Sequence, residues 1–218
     1  MIETYPSADA LADAAAHGVE AWLAQGLRTR GRASLVATGG RSPGPVYDRL
    51  RAARVDWARV IVTLSDERCV DEASPDSNLR QVRERLLVGE AAKAHVLPLW
   101  PAAHEAALEA LLPFDAVLLG MGEDGHVASL IPGSAALDEG MDPATPKLVL
   151  PVEAGLGSPP LPRVTLTLAA LLNSRAIFLL IAGDAKRQVV ARAQAGEDLP
   201  VRAVLAHERL RVLWAPSH

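Results

Sequence analysis

The amino-acid sequence predicts an α/β protein: a doubly wound, mainly parallel sheet flanked by helices. Short, continuously apolar runs recur at Val60-Ile61-Val62-Thr63-Leu64, Ala116-Val117-Leu118-Leu119 and Ala176 to Ala182. A run without polar alternation suits a strand covered on both faces. Segments of helical periodicity lie between these runs, so strands and helices alternate along the chain. At 218 residues the chain is long enough for one substantial core, and residues 1–218 are read as a single domain.

In chain order, Ser7 suits an N-cap, and Ala8, Leu11, Ala15, Val19, Trp22 and Leu23 recur on one helical face. A short strand from Ser34 to Thr38 ends in Gly39-Gly40-Arg41-Ser42-Pro43-Gly44, with Pro43 or Pro45 in the first turn of the next helix. The second strand runs into Ser65-Asp66-Glu67-Arg68, and Ser77 can cap a helix from Asn78 to Leu87. His95 to Trp100 reads as a strand interrupted by Pro98, and Ala102 to Leu112 as a helix. From Gly133 to Pro162 the chain is broken by prolines; it holds an edge strand at Lys147 to Val152 and is suited to cover a pocket as a lid. The last βα unit has its strand at Ala176 to Ala182, a turn at Gly183-Asp184 and a helix from Ala185 to Ala195. A strand at Leu210 to Trp214 closes the sheet, with His207 and His218 facing solvent.

Composition narrows the function. Half the residues are apolar, yet no apolar run approaches a membrane span, so a soluble protein is expected. The start of the chain lacks a basic segment before an apolar stretch, so no secretory signal is expected. A single cysteine, Cys69, leaves no intrachain disulfide, and the cytoplasm is the expected compartment. The net charge of −4 comes from mixed signs without a basic tail, which argues against a nucleic-acid partner. The expected assembly is a monomer or small homo-oligomer.

The chemistry concentrates in Phe114 to Gly133, FDAVLLGMGEDGHVASLIPG. Gly120, Gly122 and Gly125 after a buried strand make a turn into which Asp124 and His126 are set. The pattern alone fits a solvated turn and a catalytic loop alike. The Gly39 to Ser42 loop, between a strand and a helix start, is a possible anion site, because free N–H groups and the helix dipole both favour negative charge there. It has neither P-loop nor dinucleotide-fingerprint spacing, and Arg41 within it is either a ligand or a solvated loop residue. Asp66, Glu67 and Arg68 directly after a buried strand lie either at a rim or along a site. Lys186, in the first turn of a helix, is badly placed for a cation unless an anion sits nearby. No histidine or cysteine spacing supports a metal site, and no cofactor is expected.

GMGEDGHVASLIPG resembles the signature loop of the 6-phosphogluconolactonases, in the wider family that includes the glucosamine-6-phosphate deaminases. TGGRSPG resembles the Gly-Gly-x-Ser/Thr-Pro loop that surrounds the sugar phosphate in that family. Asp66-Glu67-Arg68 with Ser77-Asn78, then Pro162 to Leu168, then Gly183 to Lys186, resemble further family segments. Two positions depart: Ser65 stands where an aromatic residue is common, and Ile131 where Phe is usual. The resemblance implies the deaminase/isomerase-like sugar-phosphate fold and hydrolysis of 6-phosphogluconolactone. It implies substrate or phosphate binding by Gly39, Gly40, Arg41, Ser42, Asp66, Arg68, Arg163 and Lys186. For Arg163 a surface role fits nearly as well.

On the implied mechanism, neutral His126 removes a proton from water as it attacks the lactone carbonyl. Asp124 either orients His126 or contacts substrate. Ser129 lacks the G-x-S-x-G elbow of a serine hydrolase and is read as structural. Deamination is disfavoured because the deaminases share Phe-Asn-Glu-Pro after Gly-His and that glutamate is missing here. A sugar-phosphate sensor fused to a DNA-binding domain is disfavoured by the lack of room before the first strand.

Overall fold

Strand pairing in the computed structural model, which describes residues 1–217, follows the apolar runs; His218 lies outside the described residues. The chain opens with β1 (Ile2–Thr4), a three-residue strand that periodicity cannot signal. In α1 (Ala8–Arg30) the Ser7 Oγ accepts from Ala10 N at 3.2 Å, and Leu11, Ala15, Val19 and Leu23 are buried. Next come β2 (Ala33–Ala37), one residue earlier than expected, α2 (Pro43–Leu50) with Pro43 at its first position, and β3 (Val60–Leu64). The segment β4 (Asp66–Arg68) follows, then α3 (Asn78–Arg85), capped by Ser77 Oγ on Arg80 N at 3.1 Å.

Several expected elements contract. The strand β5 is only His95–Val96, and α4 is only Glu105–Glu109, where Leu108 alone is buried. After β6 (Ala116–Leu119) the proline-rich segment carries α5 (Leu137–Met141) and β7 (Val149–Val152). Beyond it lie β8 (Arg163–Leu166), α6 (Leu168–Leu172) and β9 (Ile177–Ala182). Gly183 and Asp184, expected as a turn, open α7 (Gly183–Gln194). A further helix, α8 (Pro200–Leu205), precedes β10 (Leu210–Ala215); Pro200 at its first position starts it without a capping side chain.

Seven strands form one sheet in the order β1-β10-β9-β6-β2-β3-β5, and every pairing in it is parallel. From β2 the chain moves outward to β3 and β5, whereas from β6 it moves the other way to β9 and β10. Right-handed crossovers in opposite directions bring helices to both faces. The loops leaving β2 and β6 therefore part, and a crevice opens between them at the carboxyl ends of the strands.

A second, antiparallel sheet, β4-β8-β7, was not expected from sequence. Ser65 joins the two: its N–H donates to Ala37 O at 2.7 Å and its O accepts from Leu166 N at 2.8 Å. The chain thus changes sheets within one residue, and this is why Asp66 and Glu67 are buried instead of lying at a rim. As expected, β7 is an edge strand, with Pro151 inside it. No helix among the described residues is long and apolar enough to cross a membrane. His207, expected in solvent, is half-buried, with Nε2 3.1 Å from Ser174 O.

Candidate active site

The crevice between β2 and β6 is a cleft of about 430 Å³, and both glycine loops line it. On the β6 side the turn is closed by Gly125 N donating to Gly122 O at 3.1 Å and Gly122 N donating to His126 O at 2.9 Å. Asp124 Oδ1 accepts from His126 N at 3.2 Å and lies 2.6 Å from His126 Nδ1. A carboxylate accepts here, so the tautomer of a neutral ring that fits this contact has its proton on Nδ1 and its lone pair on Nε2. His126 lines the cleft, and Asp124 is not among the lining residues. A side chain on Gly122 would run into both the His126 ring and the Asp124 carboxylate, so this turn needs glycine for close approach. Ala128, also on the cleft wall, holds φ 51°, a left-handed conformation that costs a non-glycine residue about 1–2 kcal/mol. From behind, α8 supports the turn through Val201 N, which donates to Gly125 O at 2.9 Å.

The opposite wall is the loop after β2. Tyr47 holds its root: the buried hydroxyl donates to Thr38 O at 2.6 Å and accepts from Thr38 N at 2.8 Å. Gly39, Gly40, Arg41 and Ser42 all line the cleft, with Arg41 exposed.

Arg68 and Arg163 face one another in register across β4 and β8, an unfavourable like-charge pairing unless an anion lies between them. Both line the cleft, and the Nε of each is buried without a hydrogen-bond partner. Arg68 Nη1 donates to Asp76 O at 3.1 Å and to Asn78 Oδ1. Arg163 is 4 % exposed and donates through Nη2 to Pro159 O at 2.9 Å, so it is not a surface residue. Lys186 lies in the first turn of α7 on the cleft wall; burial lowers its pKa, the neighbouring Arg41 lowers it further, and Glu123 opposes both.

Asp66 reaches the cleft, but Oδ1 accepts from Ser65 Oγ at 3.0 Å and Oδ2 from Ser129 Oγ at 2.6 Å, with Arg163 Nη1 3.8 Å from Oδ2. Its neighbour Glu67 points away into the start of α3 and accepts from Arg68 N, Asn78 N, Leu79 N and Ser77 Oγ at 2.7, 2.8, 2.7 and 3.0 Å. Burial raises the Glu67 pKa and these four donors pull it down. No group of three or more His, Cys, Asp or Glu side chains among the described residues could hold a metal ion.

A strand-end turn carrying a histidine–aspartate pair, facing a glycine loop and four cations, is the arrangement against which known proteins can be compared. The family model described as glucosamine-6-phosphate isomerases/6-phosphogluconolactonase matches residues 6–214. The chain belongs to this family. A 6-phosphogluconolactonase of Caulobacter vibrioides is 44 % identical, over 98 % of this chain and 97 % of the relative. One of Rhizobium meliloti is 40 % identical over 97 % of each. The crystal structure of a 6-phosphogluconolactonase from Shewanella baltica superposes with a TM-score of 0.89 at 34 % identity, covering 100 % of this chain and 97 % of that one.

Within this family fold, the cleft brings together His126, Gly39, Gly40, Arg41, Ser42, Asp66, Arg68, Arg163 and Lys186. Ser158, in the proline-rich segment, also lines it, so part of that segment does border the cleft. Two polar residues that shape the site were not singled out from sequence. Glu67 was grouped with its charged neighbours, and its contact with α3 lies across a loop. Gln81 bonds the backbone of Gly40 from forty-one residues away, and no local pattern signals that.

Proposed function

We propose that this chain hydrolyses 6-phospho-D-glucono-1,5-lactone to 6-phospho-D-gluconate, a step of the oxidative pentose phosphate pathway, in the cytoplasm and without a metal. The observation that carries the reading is the His126–Asp124 pair set on one wall of a cleft whose other walls are cationic. The names of the relatives support the substrate.

His126 Nε2 takes a proton from water as the water oxygen bonds to the lactone carbonyl carbon. Asp124 holds the ring and stabilises the imidazolium that forms. The tetrahedral intermediate then collapses, the bond from that carbon to the ring oxygen breaks, and the imidazolium returns its proton to the ring oxygen. One base serves both steps, and such a base contributes about 10²- to 10⁴-fold. The cleft's cations lower the energy of the oxyanion, so an ester this reactive needs no covalent nucleophile.

Arg68, Lys186, Arg41 and the Gly39 to Ser42 loop bind the phosphate, with Arg68 suited by its fork of donors. Arg163 completes the anion-facing wall. Asp66, an acceptor that would repel phosphate, holds Ser129 and Arg163 in place. The test is turnover: the purified chain should open the lactone faster than buffer alone and leave glucosamine 6-phosphate unchanged. A rate equal to the buffer blank would refute the reading.

A further inference from the structure

Outside the cleft, one side chain holds the glycine loop with both of its polar atoms. Gln81 Oε1 accepts from Gly40 N at 3.1 Å, and Gln81 Nε2 donates to Gly40 O at 2.6 Å. Gly40 sits at φ 104°, a conformation that glycine adopts freely and that by itself leaves the loop loose. The amide of Gln81 therefore fixes it as a neighbouring strand would, by exchanging both hydrogen bonds with one residue. Gln81 is not on the cleft wall. It lines a separate recess of about 400 Å³ that shares Gly40 and Arg68 with the cleft. It grips the loop from behind, away from any ligand in front.

The helix that carries Gln81 also holds the other side of the anion site. Asn78, Gln81 and Arg85 stand at i, i+3 and i+7 on one face of α3. Asn78 Oδ1 accepts from Arg68 Nη1, and its amide fills the space that any side chain on Gly39 would need. Arg85 Nε donates to Asp48 Oδ1 of α2 at 3.2 Å. A single helical face thus holds the Arg68 guanidinium, the Gly39–Gly40 backbone and α2 together.

We infer that Gln81 is a positioning residue: it sets the glycine loop at the distance from Arg68 that a phosphate monoester requires. This rests on the phosphate-binding reading of the loop. The experiment measures kcat and KM on 6-phosphogluconolactone, the inhibition constant of inorganic phosphate and the thermal midpoint, for wild type, Gln81→Ala and Gln81→Met. Methionine keeps the side chain's length and removes its hydrogen bonds. Both variants should fold, keep kcat and raise KM and the phosphate inhibition constant together by about tenfold, the effect of losing one or two such bonds. Wild-type KM and phosphate inhibition in Gln81→Met would overturn the inference and make the contact mere packing. So would a fall in kcat at constant KM. If wild-type protein turns over the lactone yet is not inhibited by phosphate, the loop reading fails first and takes this inference with it.

Discussion

Of the four cations around the cleft, Lys186 is the one whose charge can be removed in an accessible pH range, since guanidinium groups stay protonated. Burial holds its pKa below the ordinary lysine range, Arg41 adds to that and Glu123 resists it. Below the lowered value Lys186 is charged and attracts an anion; as the pH rises through that value the attraction is lost. The affinity for inorganic phosphate, followed by calorimetry from about pH 8 upward, should therefore weaken before the usual lysine value of about 10.4 is reached. Lys186→Arg should abolish this alkaline limb. Persistence of the limb in that variant would assign it to another group. The identity of the lysine was legible because a cation in a helix's first turn conflicts with the dipole. The ring geometry of His126 was half legible: Asp124 two residues away made contact possible, but only the folded turn shows the carboxylate on Nδ1.

Among the elements, α3 orders much of the site, and its own start depends on Glu67. Ser77 was readable as a cap because a serine before a helical run is a local signal. The Glu67 carboxylate comes from eleven residues before Asn78, and no local rule points to it. Replacing Glu67 by Ala leaves buried N–H groups without an acceptor. Urea unfolding of Glu67→Ala should show a loss of about 2–4 kcal/mol. An unchanged midpoint and slope would mean that water or rearrangement satisfies those donors and that α3 needs no such anchor. The antiparallel sheet of β4, β8 and β7 escaped the sequence for the same reason. Its strands are three or four residues long, and β4 pairs with β8 across nearly a hundred positions, as Asp66 does with Thr165, although β7 and β8 lie close in sequence. The runs of β3, β6 and β9 declared themselves because they are apolar without polar alternation, the pattern of a strand covered on both faces. Helix α4 is shorter than the stretch read from Ala102 to Leu112, and α8 was not read at all, because segments of five and six residues are too short for a helical period to show.

At the scale of the whole molecule, the site exists because the strand order turns between β2 and β6. Local patterns establish that strands and helices alternate; they do not reveal which strands are neighbours, and the resemblance to a known family supplied that step. The order brings the Gly39 to Ser42 loop and the Gly120 to His126 turn, eighty residues apart in sequence, to one cleft. On the proposed mechanism the histidine on one of these loops acts as a base on a lactone held by the other. The measurement that tests it most directly is the steady-state opening of 6-phosphogluconolactone, generated in situ and corrected for the spontaneous rate, by wild type and His126→Ala. Loss of the base should lower kcat about 10²- to 10⁴-fold, with KM little changed. A His126→Ala protein with wild-type kcat would contradict it.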